Sequence, residues 1–192
     1  MSNTTCTQNR LSAGLLYIVS ALLFSPIAST QELIVEADVE PSISVISYAS
    51  RVHIGTVSTG DFSSTFSFAV EANTPVVALQ LLATNLYKNS DPTITAINPI
   101  RVNRAAGIDI NARAAKTIDG SNWNASFDNS ETLNKPEGIF LGFRTEEVKL
   151  ESTQAGIFNQ DVDLRVTWTQ DESIKPAGRY GGYIVLYVSL VN

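Results

Sequence analysis

Alternating apolar and polar residues along the chain predict a series of short β-strands. In FSSTFSFAVEA, Phe62, Phe66, Phe68 and Val70 alternate with small or polar residues, which is the period of two of a half-buried strand. Comparable runs, separated by Gly, Pro, Asn and Asp, are ISVISYASRVHIGTV, TITAINPIRV, GIDINARAAKTI, GIFLGFRTEEVKLES and VDLRVTWTQ. The pattern predicts an all-β domain, a sandwich or a barrel.

Two segments leave a choice between strand and helix. VVALQLLATNLY is densely apolar, but its β-branched start and the Asn-Ser-Asp-Pro sequence that follows it favour a buried strand. RAAGIDINARAAK has room for one helical turn. Neither segment changes the predicted fold class.

The last run, GRYGGYIVLYVSLVN, is apolar on both faces and predicts a central, buried strand. One face consists of Tyr180, Ile184, Leu186, Val188 and Leu190. The sequence given ends at Asn192, so no later strand in it would cover the flank of this one. We therefore expect a strand of central type that lacks a neighbour.

A strand pattern without an evident partner stands near the other end of the chain. Leu33, Val35, Ala37 and Val39 fall on one face of the pattern and Glu36, Asp38 and Glu40 on the other, and the pattern stops at Pro41. Proline cannot donate a ladder hydrogen bond and tends to close a strand.

Residues 1–30 have the pattern of an export signal: a basic residue, Arg10, then the apolar run LSAGLLYIVSALLF and the exit SPIAST. We predict cleavage between Ala28 and Thr30; an uncleaved N-terminal anchor is the alternative. Cleavage would remove one of 13 basic and none of 19 acidic residues, taking the net charge from −6 to −7. Such an acidic domain is poorly suited to nucleic acid. The single cysteine, Cys6, lies in the signal, so the exported domain would fold without a disulfide.

The sequence offers few candidates for catalysis, and we predict no enzymatic activity, no cofactor and no metal site. His53 is the single histidine, and its strand context favours an exposed or edge position over a catalytic one. The polar stretch 117–131 carries Trp123 and is a candidate sugar-binding loop. A hairpin with its turn at Asp119–Gly120 and Trp123 capping the core is the favoured interpretation.

The two ends together resemble the subunits of bacterial chaperone–usher pili. LIVEADVEP is similar to the I-T-V-T-A-S-V-D-P extension of CS1/CFA-I-like (alpha) fimbrial subunits, and AGRYGGYIVLYVSLV is similar to their closing A-G-x-Y-x-G-x-(V/I)-x-L strand. The middle of the chain is as similar to archaic and spore-coat-U-like subunits. The resemblance covers roughly 30 residues at the two ends.

The resemblance implies an incomplete immunoglobulin-like β-sandwich, residues 42–192, that lacks its final strand. Residues 31–41 would be a donor-strand extension, which inserts Leu33, Val35, Ala37 and Val39 into the next subunit beside the C-terminal acceptor strand. The implied partners are neighbouring subunits in a head-to-tail polymer, a periplasmic chaperone and an outer-membrane usher. The implied location is the periplasm in transit and then a cell-surface fimbrium that serves adhesion and biofilm attachment.

Two other functions remain open from the sequence. A self-contained secreted β-sandwich that binds glycans would use the Trp123 loop and would pair residues 33–39 within its own sheet. An extracellular hydrolase is the third interpretation, although the sequence offers no pairing of a base with a nucleophile.

Overall fold

The computed structural model describes residues 36–118 and 122–191. The chain divides after Val39 into two units, Met1–Val39 and Glu40–Asn192. Of the first unit only residues 36–39 are described, and they are exposed and outside any strand. The predicted export signal, Leu33, Val35 and the Asp119–Gly120 turn lie outside the described residues.

The described part of the second unit is all-β, without a helix. Its strands are β1 Ile43–Ser47, β2 Gly60–Ala72, β3 Val76–Thr84, β4 Tyr87–Lys88, β5 Arg101–Val102, β6 Ile108–Ala112, β7 Ala115–Thr117, β8 Asn124–Ala125, β9 Phe127–Lys135, β10 Gly138–Thr145, β11 Val148–Ser152, β12 Phe158–Gln170, β13 Tyr180–Gly181 and β14 Ile184–Leu190. All strand pairs are antiparallel, and the architecture is consistent with a β-sandwich.

The first sheet has the order β1-β2-β12-β6-β8, with β5 also pairing β12. Its centre is the long ladder between β2 and β12, in which Ala72 pairs with Phe158 and Gly60 pairs with Gln170. The outer strand β1 pairs with β2 from Ile43–Ala72 to Ser47–Phe68.

The second sheet has the order β7-β11-β3-β10-β9, with β14 on the other edge of β3. The β14 ladder runs from Ile184 opposite Ala83 to Leu190 opposite Val77. Among the described residues, β14 has no strand on its second edge. A strand without a second neighbour is expected from the sequence, but the expectation that it is buried is wrong, since the residues of β14 are half-buried or exposed.

One hydrophobic core joins the two sheets, because residues of β2 and β12 cluster with residues of β3 and β11. Trp168 of β12 is 1% exposed, and its ring stacks on Phe62 and meets Phe66 edge to face. Its Nε1–H donates to the Thr84 carbonyl in the other sheet at 3.1 Å. This bond satisfies a polar group that would be costly to bury unpaired.

Two other strand predictions are wrong in part. The run from Ile43 to Val57 is a strand only to Ser47, and residues 50–58 have no ladder partner; Gly55 there has a positive φ of 94°. The run TITAINPIRV is a strand only at Arg101–Val102. Its first half forms turns, because the Asp91 carboxylate accepts bonds from the Thr93 N–H at 2.8 Å and hydroxyl at 2.6 Å. Residues 104–106 form a turn and no helix.

Candidate functional site

The inner face of β14 is a partly exposed region of the apolar interior. Ile184, Leu186, Val188 and Leu190 pack against the core cluster and are only partly buried. Their ladder partners in β3, Ala83, Leu81, Leu79 and Val77, are at most 3% exposed. Since directly opposed residues share a face of the sheet, the core loses its cover at the free edge of β14.

The outer strand of the first sheet shows the same feature. Val45 of β1 lies opposite Val70 and shares its core-facing side, yet Val45 is 38% exposed while Val70 is fully buried. The adjoining Ile43 is half-buried against the core. We call the apolar strip formed by Ile43, Val45 and the inner face of β14 the edge cleft.

The edge cleft is narrow, because Cα atoms of β1 and β14 come within 8 Å of each other. The two strands belong to different sheets and are not paired with each other. A strand inserted between them would lie about 4.8 Å from β14, and the remaining distance to β1 would be too short for a second strand backbone. Filling the cleft therefore requires its edges to separate.

The outer face of β14 is covered by side chains of its own sheet. The Arg144 guanidinium lies 4.2 Å from the Tyr187 ring centroid, and Glu131 holds it with Nε–Oε2 and Nη2–Oε1 distances of 2.6 and 2.8 Å. Tyr183, just before β14, meets Phe140 edge to face at 4.9 Å, and burial raises the pKa of its hydroxyl. These contacts explain why a strand that is apolar on both faces is stable at an edge.

The edge cleft runs from one pole of the second unit to the other. The strand registers define the two poles. At the first, the exit pole, Ile43 pairs with Ala72 and Leu190 with Val77. At the second, the loop pole, Gly60 pairs with Gln170 and Ile184 with Ala83.

Asn73 anchors the chain where it enters the second unit at the exit pole. Its Nδ2 donates to the Glu40 carbonyl at 2.8 Å, and its Oδ1 accepts the Ser42 N–H at 2.7 Å. Its backbone N–H donates to the Ser42 carbonyl at 3.2 Å. The position of residues 40–42 is therefore fixed by one side chain and its backbone.

Tyr180 lies at the loop pole, where two lysines approach its ring. Lys88 and Lys175 have Nζ atoms 5.3 and 5.8 Å from the ring centroid. The Tyr180 hydroxyl donates to the Pro176 carbonyl at 2.9 Å, and burial is the main cause of its raised pKa. Gly182, between β13 and β14, has no space for a side chain, since a Cβ there would lie 2.5 Å from the Asn85 carbonyl oxygen.

Of the five residues predicted for the acceptor strand, Ile184, Leu186, Val188 and Leu190 lie on the inner face of β14 against the core. Tyr180 also packs against the core, but it lies in the separate strand β13, which pairs with β4, so the prediction of one continuous strand is wrong. Of the predicted donor residues, Ala37 and Val39 are described, and Val39 is 81% exposed. The roles of donor and acceptor stay predictions. The alternation found the β14 side of the cleft but missed Ile43 and Val45, whose part depends on pairing with β2.

The other candidates from the sequence do not come together. His53 is exposed in the irregular segment between β1 and β2. Trp123 is 38% exposed, and its carbonyl accepts the Ile110 N–H. No group of three His, Cys, Asp or Glu side chains suited to a metal ion occurs in residues 36–118 and 122–191. Over the same ranges, no helix is long and apolar enough to cross a membrane.

Searches for similarity among protein-family models, curated proteins and solved structures found no match to this chain.

Proposed function

We propose that this chain is a structural subunit of a chaperone–usher surface pilus and polymerises by donating a strand to a neighbouring copy. The observation that carries the proposal is the edge cleft, where a half-covered core meets the free edge of β14. On this proposal the second unit is an immunoglobulin-like sandwich that lacks one strand. Residues 31–41 of the next copy supply it, as the resemblance of both ends to pilus subunits implies.

The pattern of the extension suits the cleft chemically. Leu33, Val35, Ala37 and Val39 would face the half-exposed inner side of β14, while Ile34, Glu36 and Asp38 would lie on the opposite face. Each fully buried Leu or Val side chain contributes roughly 1.5–3 kcal/mol. Main-chain hydrogen bonds to the free edge add affinity, as in other cases of strand addition.

The strand registers determine which poles would meet if the donated strand pairs antiparallel with β14, as all other described strand pairs do. A strand antiparallel to β14 would start beside Leu190 and end beside Ile184, so its Pro41 would emerge at the loop pole of the acceptor. The donor's own residues 40–42 are fixed at its exit pole. Exit pole would then meet loop pole at each junction, which is a head-to-tail contact that repeats without closing.

Exposed edges and a half-covered core are an aggregation hazard for a free subunit. This hazard supports the proposed need for a periplasmic chaperone that covers the cleft and an usher that directs assembly. The acidic charge and absence of cysteine in residues 31–192 accord with an exported β-protein that is stabilised by packing alone.

A synthetic peptide of residues 31–41 tests the proposal on residues 31–192. We expect the protein alone to be unstable or to form oligomers, and the peptide to convert it to a monomer of higher melting temperature. Ligand that binds the folded state alone stabilises it in this way. A peptide with Val35→Asp and Val39→Asp is the matched control. A stable monomer that ignores the peptide would contradict the proposal.

A further inference from the structure

A tightly held loop at the loop pole presents an exposed isoleucine. Ile174 is 90% exposed, although the residues around it make several hydrogen bonds. The Glu172 N–H donates to Gln170 Oε1 and the Glu172 carbonyl accepts from Gln170 Nε2, both at 2.7 Å. On the other side, Lys175 Nζ donates to the Asn98 carbonyl at 2.8 Å.

Further contacts hold the same loop against the strands. The Lys175 side chain is 5% exposed and forms an ion pair with Glu172 at 3.2 Å. Lys88 Nζ donates to the Ala177 carbonyl, and the Tyr180 hydroxyl donates to the carbonyl of Pro176. Because the backbone is held at Glu172 on one side and at Pro176 and Ala177 on the other, the loop that carries Ile174 is restrained. Less entropy is then lost when Ile174 is buried against a partner.

A shallow depression lies at the exit pole, beside the residues that Asn73 anchors. It has a volume of about 330 Å³, and its apolar lining comes from Ile43, Ala72 and Ile157. Ile157 is 43% exposed. The polar part of the lining comes from Ser42, Ser44, Glu71, Asn73 and Asn159.

We propose that Ile174 of the acceptor subunit packs into this depression of the donor subunit, forming a second contact at each junction. The inference rests on the proposed function, which brings the exit pole of one copy against the loop pole of the next. The occupant is a second copy of this chain because the depression adjoins residues 40–42, from which the extension leaves. Whatever receives the extension must lie next to that point.

Pairs that form one junction only can assign each side of this contact. The acceptor is residues 31–192 with Val35→Asp and Val39→Asp, which prevents donation. The donor is residues 31–192 with a linker and a copy of residues 32–41 appended, which fills its own cleft. The dissociation rate of a labelled pair is measured in the presence of excess unlabelled donor.

We expect Ile174→Asp in the acceptor, or Ile157→Asp in the donor, to speed dissociation about tenfold, the effect of losing a partly buried isoleucine contact. The same substitutions placed in the opposite partner should have no effect. Ser173→Asp in the acceptor is the matched control, because it adds the same charge one exposed residue away and should leave the rate unchanged. Ile157→Lys in the donor should restore slow dissociation to the Ile174→Asp acceptor.

Binding of the free 31–41 peptide separates this inference from the proposed function. The peptide lacks the depression, so Ile174→Asp should not alter its affinity for the acceptor. If the peptide fails to bind the acceptor that keeps Ile174, the proposed function is overturned. The junction contact alone would be overturned if the peptide binds normally and Ile174→Asp leaves the dissociation rate unchanged. It would also be overturned if the substitutions act equally in either partner, or if Ser173→Asp has the same effect as Ile174→Asp.

Discussion

At the scale of single residues, Glu172 links the loop that carries Ile174 to pH. Its carboxylate accepts a 2.6 Å hydrogen bond from Asn98 and pairs with Lys175. The bond from Asn98, followed by that from Lys175, holds the pKa of Glu172 below its usual value. A lowered pKa in the folded state means that the ionised form stabilises the fold above the pKa of the unfolded state, and that this stability is lost as pH falls.

We predict that Glu172→Gln removes this part of the acid sensitivity. Above about pH 5, where an ordinary glutamate is ionised, the unmodified protein should melt at a higher temperature than the variant. The difference should shrink as the pH falls toward the lowered pKa of Glu172. Thermal melts of both proteins between pH 7 and pH 3, in complex with the 31–41 peptide, measure it. A difference that stays constant over this range would contradict the role assigned to Glu172.

Val39 tests the donor side of the account at a single position. The side chain is 81% exposed in the described structure, so Val39→Asp should leave folding and acceptance of the peptide unchanged. Donation should fail, because an unpaired carboxylate would have to enter the apolar cleft, which costs about 2 kcal/mol or more. Filament yield from cells that make only the variant measures this, with Glu40→Gln as a neighbouring control. Normal filaments from the Val39→Asp cells would refute it.

At the scale of strands, β14 determines where the core is open. Its ladder to β3 uses one edge, and the other edge has no partner within the described ranges. We predict that alternate amides of residues 184–190 exchange rapidly with solvent in the free protein and become protected when the 31–41 peptide binds. The amides of β3, which is paired on both edges, should exchange slowly in both states. Equal exchange of β14 with and without peptide would argue against strand addition at this edge.

The strands also show what could be predicted from the sequence and what could not. Alternation correctly predicted β2, β12 and the inner face of β14, because each has a regular apolar face. It could not predict that β14 pairs with β3, about 100 residues earlier, or that Arg144 and Phe140 cover the outer side. The failure at residues 93–99 has a local cause, because the Asp91 side chain stabilises a turn and Pro92 and Pro99 lack ladder donors.

Only the β14 side of the candidate site could be predicted from the sequence. Ile184 to Leu190 share a face in the sequence pattern, so their common position followed from strand periodicity, whereas Tyr180 lies in a separate strand, β13. Ile174 and the depression at Ile43, Ala72 and Ile157 gave no signal in the sequence. Their arrangement depends on the pairing of β1, β2 and β12 and on side-chain bonds within the 171–179 loop.

At the scale of the whole molecule, the proposed function makes the second unit a fold that a segment of another copy completes. On the proposed function, the loss of stability expected in the free subunit and the gain expected in the polymer would have the same cause, the half-covered edge cleft. Because β1 and β14 lie close together, these edges would have to separate when the strand enters. A self-contained sandwich would show neither dependence on a second copy nor a change at this edge.

The most direct measurement is the melting temperature of a chain that carries its own donor strand. A flexible linker and a copy of residues 32–41, appended after Asn192, would supply the strand at an effective concentration of order millimolar. We predict a monomer that melts well above residues 31–192 without the addition, because filling the cleft stabilises the folded state alone. The same addition with Val35→Asp and Val39→Asp in the appended copy should lose that gain. Equal melting temperatures for the extended and unextended proteins would contradict the account.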